Sequence, residues 1–448
     1  MSEALPTLLQ SDIGLLIVAG VGALAGSALA LLPGLHIYNV AGGLFWLLLH
    51  HPRLVPEQVA IWFLLGALVG WVVVNVVPSV FLFAPDDANA VVILPTTRWF
   101  MRGRGFEAAL LVGSGSLGAL VGLVLIAPWL AQGVLPVWQI VQPHVGWMLV
   151  AVLAFLLLGE WPRADERAPS PLRRLASAWA YLGAGLLTFV LSSALGIVLF
   201  YRSPLPVTVA FQNLMPAFVG LFAVPGLVQL LLLSKPLPPQ RSDRLEVLSP
   251  RLLLRGTATG LAGGLFSSVL PVVTGSIGGL LAGHATAVRD ERVFMVSLGA
   301  SKVGYYVGSL LLLFVPGVGL VRGGMAGMIN ALGVAQTWRA YALAVAGVAA
   351  AGAVAFGMLV VFARAFAQWS ARLPAKGIAG LSLVLVAALT VGFAGMAGLG
   401  IMLVGTSIGL IPVLLGGRRL NALGVILTPI TLNTLGLGPS VAAWLGLL

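Results

Sequence analysis

The stretch LALLPGLHIYNVAGG, residues 29–43, decides the fold, because it places a proline, a histidine and an asparagine inside a long apolar run. A proline removes a backbone donor and a following glycine lets the chain turn. Pro33 and Gly34 therefore predict that the helix stops or kinks at these two residues. In a membrane, non-helical backbone is tolerated only where protein buries it or water reaches it. The break thus predicts a polar cavity beside it.

Composition identifies the chain as an integral membrane protein. Of its 448 residues, 59% are hydrophobic and 8% are charged, and the mean hydropathy is +1.06. A soluble domain of this length cannot bury so much apolar surface. Apolar runs of about 20 residues recur without the alternation of a membrane barrel. The sequence predicts an all-α polytopic protein with about 10 crossings and two proline-broken re-entrant or paired half-helices.

Cysteine content and charge exclude several functions. The chain has no cysteine, so it has no disulfide, thiolate metal site or cysteine nucleophile. Its formal charge of +11 comes from Lys and Arg residues in short loops, so we expect contact with membrane lipid and not with nucleic acid. The N-terminal stretch MSEALPTLLQSD has no basic residue, and we expect no cleaved leader.

The distribution of basic residues sets the predicted orientation. The most polar stretches, 161–174 and 235–255, should face the cytoplasm. Counting spans from them puts a third basic loop on the same side and the N-terminus outside. This loop carries Arg98, Arg102 and Arg104. We expect a multi-pass protein of the bacterial inner membrane.

Two internal matches indicate a duplicated fold. An offset of 238 residues sets Gly22, Gly26, Leu32 and Pro33 over Gly260, Gly264, Leu270 and Pro271. An offset of 204 sets 85–95 over 289–299 and leaves the span 57–84 without a counterpart. By the count of spans, the first broken segment enters the membrane from outside and the second from the cytoplasm, so the second copy is inverted relative to the first. Inverted repeats of this kind are typical of secondary transporters. We predict a first transmembrane repeat at 1–235, a basic cytoplasmic linker at 236–255 and a second transmembrane repeat at 256–448.

The broken segments predict an anion site. Free N–H groups at the start of a half-helix carry partial positive charge and suit a carboxylate or phosphate. His36 and Asn39 would share a helix face there, or each caps a helix end or bonds a neighbouring helix. The second break, VLPVVTGSIGG (269–279), supplies hydroxyls that could donate to an anion or bond their own backbone. The predicted substrate-binding residues are Pro33, Gly34, His36, Asn39, Pro271, Thr274, Gly275, Ser276, Ser301 and Lys302.

A lysine inside a span is the most informative charge, because burying one costs at least about 3 kcal/mol on insertion scales. Lys302 lies 12 residues past Asp290, about 18 Å along a helix. It is either a countercharge for an anionic substrate or half of a structural ion pair with Asp290 or Glu291. Tyr305 and Tyr306 could line the same cavity or mark an interface.

Acidic residues are candidates for the driving ion. The aspartates at 86 and 87 could bind Na⁺ or H⁺, or they could lie in a solvated turn. The predicted coupling-ion residues are Asp86, Asp87, Asn89, Asp290 and Glu291. The chain has no HExxH motif, no P-loop and no paired histidines with carboxylates at metal spacing. We therefore expect no enzymatic activity, no cofactor and no ATP-driven step.

Four stretches resemble one known family. AGSALALLPGLH (25–36) resembles a glycine-spaced segment ending LPGLG, and PDDANAVVILPTTRWFMRGRGFEAALLVGSGSLGALVG (85–122) is similar to a long acidic turn, basic Arg-Gly-Arg and glycine-rich helix. AFVGLFAVPGLVQLLLL (217–233) resembles a GLF segment, and DERVFMVSLGASKVGYYVG (290–308) lies where an acidic motif is kept. The family is the large membrane subunit of the tripartite tricarboxylate transporters (TctA).

The resemblance implies a two-repeat carrier driven by protons or sodium. In the full system this subunit receives citrate-like carboxylates from a periplasmic binding protein, with help from a small membrane subunit. The leading interpretation is an ion-coupled secondary transporter of an organic anion that works by alternating access. The alternative is a translocase of an anionic lipid carrier such as polyprenyl phosphate, whose phosphate would use the same helix ends. A homodimer and a stand-alone carrier are both compatible with the sequence.

Overall fold

The computed structural model describes residues 11–51, 55–159, 170–206, 214–232, 237–242, 249–370, 372 and 374–448. Over these residues the chain is helical and contains no strand, which confirms the predicted all-α class. Some of the predicted cytoplasmic basic residues lie outside the described residues. These are Arg163, Arg167, Lys235 and Arg244.

The helices are numbered in chain order. The first part of the chain forms α1 (Asp12–Leu29), α2 (Ile37–His50), α3 (Glu57–Val74), α4 (Val76–Phe81), α5 (Ile93–Met101), α6 (Gly105–Val141), α7 (Val145–Leu158) and α8 (Pro171–Tyr201). The remainder forms α9 (Leu214–Phe218), α10 (Val224–Leu231), α11 (Pro250–Val269), α12 (Gly275–Ala285), α13 (Glu291–Phe314), α14 (Gly323–Ala331), α15 (Trp338–Ser370), α16 (Ala375–Leu415), α17 (Gly424–Thr434) and α18 (Gly438–Trp444). Short 3₁₀ turns occur at Asp87–Asn89, Gln142–His144 and Arg419–Leu423, and one π-helical turn occurs at Val219–Ala223.

Eight helical runs in the described part of the chain are long and apolar enough to cross a membrane, and one bent pair makes up to nine. The two longest runs come closest to the length of two crossings: Gly105–Leu158 has 54 residues and Ala379–Leu415 has 37. The second run is interrupted at Gly395, whose φ of 64° and ψ of −165° are not helical. If each of these two long runs crosses the membrane twice, the number of crossings comes close to the predicted value of about 10. The chain is a multi-pass membrane protein.

Both predicted proline breaks are present. A non-helical link with Pro33 and Gly34 separates α1 from α2, and Gly34 has a φ of 78°. A second link with Pro271 and Val272 separates α11 from α12, and Val272 has a φ of 55°. A branched residue in this left-handed region is strained by about 1–3 kcal/mol, so the surrounding packing must hold it. A re-entrant path through the bilayer stays a prediction.

The chain divides into two compact units. The first comprises Met1–Ile140 and Ser234–Ile378, and the second comprises Val141–Leu233 and Ala379–Leu448. Each unit therefore takes segments from both halves of the sequence. This division does not test whether the sequence is duplicated. The two predicted repeats and the linker between them therefore stay predictions.

The first unit contains a close helix pair, α1 with α3. Gly22 and Gly26 of α1 lie against the carbonyl oxygens of Phe63 and Ala67 of α3. A Cβ added at either glycine would come within 2.2 Å or 2.1 Å of those oxygens. Only glycine permits this approach, as in other membrane helix pairs with small residues at the interface.

The pair α11 and α13 in the same unit packs in the same way. Gly260 and Gly264 lie against the carbonyl oxygens of Ser297 and Ser301, which an added Cβ would meet at 2.0 and 2.4 Å. The 238-residue offset thus matches glycines with the same role. Their partners share one offset as well, because 297 − 63 and 301 − 67 both give 234. This packing places α3 and α13 in similar roles, whereas the 204-residue register leaves the span 57–84 without a counterpart; the duplication and its register stay predictions. The inverted orientation of the copies stays a prediction.

The second unit is built around α8, α16 and α17. A Cβ at Gly196 of α8 would lie 2.0 Å from the carbonyl oxygen of Val425 of α17. The hydroxyls of Ser193 and Thr428 join the same two helices by a hydrogen bond of 2.7 Å. A second core joins α9, the π-helical turn, α10 and α16 through Met215, Val219, Val224, Val386 and Met402.

Candidate functional site

Polar side chains of the first unit gather around the 3₁₀ turn Asp87–Asn89. Phe83, with a φ of 55°, lies in the link that leads from α4 to this turn. Asp86 caps the turn, because its Oδ1 accepts the N–H of Asn89 at 2.9 Å. Its Oδ2 accepts a hydrogen bond of 2.7 Å from Asn75 Nδ2. Both carboxylate oxygens of Asp86 are therefore fixed.

Lys302 reaches the same turn from α13 and is 1% exposed. Its Nζ donates to Asn75 Oδ1 at 2.5 Å and to Asn89 Oδ1 at 3.2 Å. Asn75 thus bridges Lys302 and Asp86 through the two ends of its amide. A buried charge is tolerated only when it is hydrogen-bonded and compensated nearby. The predicted structural pairing with Asp290 or Glu291 is wrong, since neither carboxylate contacts Lys302.

His36 and Asn39 close the first turn of α2. His36 Nδ1 accepts the N–H of Tyr38 at 3.3 Å, and Asn39 Oδ1 accepts the N–H of His36 at 3.2 Å. The capping alternative for both residues is therefore confirmed. His36 also uses its other nitrogen, because Nε2 lies 3.2 Å from the Tyr306 hydroxyl and 3.6 Å from Asp87 Oδ1. The same histidine caps α2 and faces the turn.

An aromatic shell holds the His36 ring in place. Its centroid lies 4.4 Å from that of Tyr38, 4.5 Å from that of Trp71 and 6.2 Å from that of Tyr306. Trp71 Nε1 donates to the carbonyl oxygen of Leu35 at 3.2 Å. The first break is thus fixed by side chains of α3 and α13 as well as by its own cap.

The second break also reaches the turn. Ser276 Oγ donates to the carbonyl oxygen of Ala88 at 2.6 Å, and Ser301 Oγ donates to that of Gly275 at 2.7 Å. A Cβ on Gly275 would lie 2.8 Å from Cα of Lys302. These serines therefore donate to the backbone of other segments, whereas the alternative interpretation expected the hydroxyl of Ser276 to bond its own backbone. Thr274 differs, because its Oγ1 is buried at the start of α12 and has no hydrogen-bond partner in the described part of the chain.

The two breaks thus meet at one buried cluster. We define this cluster as His36, Asn75, Asp86, Asp87, Asn89 and Lys302. Asp87 is 6% exposed, so a solvated turn does not describe it. His36, Asp86 and Asp87 each offer one ligand atom, and these atoms lie within 4.8 Å of one another. Such a group of oxygen and nitrogen atoms could hold a small cation.

Two predicted coupling residues lie elsewhere, at the start of α13. Asp290 accepts hydrogen bonds from Nη2 of Arg292 at 2.9 Å and from its backbone N–H at 2.8 Å. The hydrogen bond from the Arg292 side chain lowers the pKa of Asp290. Glu291 accepts from Trp99 Nε1 at 3.0 Å and from Arg98 Nη1 at 3.4 Å. The structure therefore brings neither carboxylate to the buried cluster.

The predicted basic loop belongs to this helix end. Arg104 pairs with Glu107 through two hydrogen bonds of 2.7 and 2.8 Å, and its guanidinium lies 4.2 Å from the Trp99 ring centroid. Arg102 is exposed and Arg98 pairs with Glu291. Arg98 and Arg104 thus link the ends of α5, α6 and α13 to neighbouring carboxylates, away from the cluster.

Two residues of the site were not predicted: Asn75 and Tyr38. Asn75 is the lone amide in the apolar run WVVVNVVPSV (71–80), and the cost of a polar group in a span could have identified it. Tyr38 directly follows the first break.

Two broken helices that meet at a buried, charged cluster in a multi-pass chain are the build of secondary transporters. The fold and the site therefore define the class of membrane transport proteins. The chain matches the Tripartite tricarboxylate transporter TctA family over residues 16–424. It belongs to that family, which confirms the resemblance seen in the sequence and makes it a tricarboxylate transporter component.

One curated relative matches this chain over most of its length. The chain is 27% identical over 320 residues to the uncharacterized protein MJ1079 of Methanocaldococcus jannaschii, covering 70% of this chain and 71% of the relative. No solved structure matches the chain.

Proposed function

We propose that the chain is the membrane-embedded carrier for an organic anion of the carboxylate class, driven by Na⁺ or H⁺ and working by alternating access. The observation that carries this proposal is the meeting of both proline breaks at one buried turn. His36 of the first break lies 3.6 Å from Asp87, and Ser276 of the second break donates to Ala88 at 2.6 Å. Motion of either broken helix would disturb the same charged cluster.

The charge of the cluster supports ion coupling. With Asp86 and Asp87 ionised and His36 neutral, one ammonium group from Lys302 leaves one negative charge in excess. An uncompensated buried charge costs free energy, so binding of one monovalent cation or one proton would stabilise the cluster. We propose that this ion binds at the carboxylates of Asp86 and Asp87, whose ligand atoms lie within 4.8 Å of each other, while His36 stays engaged in the cap of α2 through Nδ1.

Family membership supports the partners and the substrate class. TctA proteins normally work with a small membrane subunit and a periplasmic binding protein. We propose that this chain accepts its substrate from such a binding protein at the inner membrane of a bacterium. The same membership favours a carboxylate carrier over the lipid-phosphate translocase.

Uptake by purified protein tests the proposal. Proteoliposomes with the wild-type chain, alone and together with its small membrane subunit and binding protein, should accumulate labelled citrate or another di- or tricarboxylate under an imposed Na⁺ or pH gradient, and collapse of that gradient should stop accumulation. Asp87→Asn should lose the response to the gradient, because it removes the charge that the driving ion balances.

Glu291→Gln is the matched control, because Glu291 is a spanning-helix carboxylate that contacts Trp99 and Arg98 and lies away from the cluster. It should keep the gradient dependence. Absence of accumulation of every carboxylate under both gradients, also when the small subunit and the binding protein are present, contradicts the proposed function. Normal gradient dependence in Asp87→Asn contradicts the proposed ion site.

A further inference from the structure

The ammonium group of Lys302 is held by two neutral oxygens inside the buried cluster. Its Nζ donates to Asn75 Oδ1 and to Asn89 Oδ1, at 2.5 and 3.2 Å. In the described part of the chain no carboxylate forms an ion pair with this lysine. The negative charge of Asp86 therefore reaches the ammonium group through the amide of Asn75 and not by direct contact.

Both amide groups are locked with their oxygens toward the ammonium group. Asn75 Nδ2 donates to Asp86 Oδ2 at 2.7 Å, and Asn89 Nδ2 donates to the carbonyl oxygen of Asn75 at 3.4 Å. A carboxylate and a carbonyl only accept hydrogen bonds, so the nitrogen end of each amide must face them. The oxygen end of each amide is therefore fixed toward Nζ. Both asparagines are buried, which keeps bulk water away from these oxygens.

Two fixed amide oxygens beside a carboxylate form a receptor for a small cation. Amide, carbonyl and carboxylate oxygens are the ligands that hard cations prefer. The ammonium group of a lysine is a compact point charge with donors only, so it needs the same oxygen ligands as a free cation does. In secondary transporters, backbone carbonyl oxygens freed by broken helices coordinate Na⁺. Here a side chain of α13 supplies the cation from within the chain.

We propose that the ammonium group of Lys302 occupies a second cation site, formed by Asn75 Oδ1 and Asn89 Oδ1 beside Asp86, and that Na⁺ or NH₄⁺ binds there once the lysine side chain is removed. The site is distinct from that of the driving ion at the carboxylates of Asp86 and Asp87. Its consequence for transport rests on the proposed function: one of the two cations that balance these carboxylates is tethered, so only the other one moves with the substrate.

Removal of the side chain tests the second site in the full-length purified protein. Lys302→Ala keeps both amide oxygens and frees the space of three methylene groups and the ammonium group. An Asp87→Asn background removes one carboxylate of the proposed driving-ion site. Thermal unfolding in detergent is compared at pH 8 in NaCl, NH₄Cl and N-methylglucamine chloride of equal ionic strength. The unfolding temperature of the double variant should be about 2 °C or more higher in NaCl or NH₄Cl than with the large organic cation.

Three controls share the Asp87→Asn background. Asp87→Asn alone keeps the tethered cation and should show no cation-specific shift. Lys302→Met fills the freed space with an uncharged chain and should show none either. Addition of Asn89→Ala to Lys302→Ala removes one oxygen ligand, so about tenfold more NaCl should be needed for the same shift.

The outcomes decide the inference without reference to transport. A shift confined to Lys302→Ala supports it, whereas no shift in that variant, or an equal shift in Lys302→Met, overturns it. If Lys302→Ala does not fold in NaCl by gel filtration, Lys302→Ser is measured in its place, and failure of both to fold overturns the inference. Loss of the second site leaves the proposed carrier standing, and a wild-type chain without uptake leaves the second site standing.

Discussion

Lys302 shows how one side chain can organise a site within the membrane. The sequence indicates that this lysine is costly and therefore used, but its partners are Asn75 and Asn89, which precede it by 227 and 213 positions. No spacing rule reaches that far along a chain. The lysine therefore compensates an aspartate through an amide and does not stand alone as a countercharge.

Removal of the lysine should destabilise the protein through Asp86. Lys302→Met leaves Asp86 without its compensating charge and both amides without a donor, so we expect a loss of about 3–5 kcal/mol in the free energy of unfolding and loss of uptake. The double variant Lys302→Met with Asp86→Asn removes that stranded charge and should recover much of the stability but no uptake. Thermal unfolding in detergent and proteoliposome uptake measure the two quantities.

An unchanged unfolding temperature in Lys302→Met would contradict this account of the cluster. Full uptake in either variant would make the lysine dispensable for transport.

Glycine at helix contacts is the main device at the scale of elements. The pairs α1 with α3 and α11 with α13 both bring glycine against a carbonyl oxygen at a distance that no Cβ allows. This packing explains why the same glycine spacing occurs in both halves of the sequence. It also lets α1 and α11 approach their partner helices closely, just before α1 ends at the break with Pro33 and α11 ends at the break with Pro271.

A single methyl group should test this contact. Gly26→Ala would put a Cβ 2.1 Å from the carbonyl oxygen of Ala67, so we expect α1 and α3 to separate at a cost of about 1–3 kcal/mol. Gly20→Ala on the same helix is the control, because nothing lies within 4 Å of its added Cβ, and it should be neutral or slightly stabilising. The unfolding midpoint in detergent compares them, and equal midpoints would show that the contact does not need glycine.

The breaks could be predicted from sequence, whereas their contacts could not. Proline and glycine act on their own backbone, so Pro33 and Pro271 mark the ends of helices without knowledge of neighbours. The roles of His36 and Ser276 depend on what faces them, and only the fold shows that one caps α2 while the other bonds Ala88. Acidic residues illustrate the same limit, since Asp290 looks like Asp86 in the sequence but pairs with Arg292.

At the scale of the whole molecule, the family match and the helical spans establish a multi-pass transporter component, and the site belongs entirely to the first compact unit. The second unit contributes none of the residues of the buried cluster. The substrate would be handled by the unit that contains both proline breaks.

The central claim is that both breaks meet at the turn that transport must disturb. The chain has no native cysteine, so a cysteine pair at Ala88→Cys and Ser276→Cys reports this contact without background. We predict that mild oxidation joins the pair within one chain, stops carboxylate uptake and is reversed by a reductant, while each single variant keeps its uptake. Failure of the pair to join, or full uptake by the joined protein, would contradict the account.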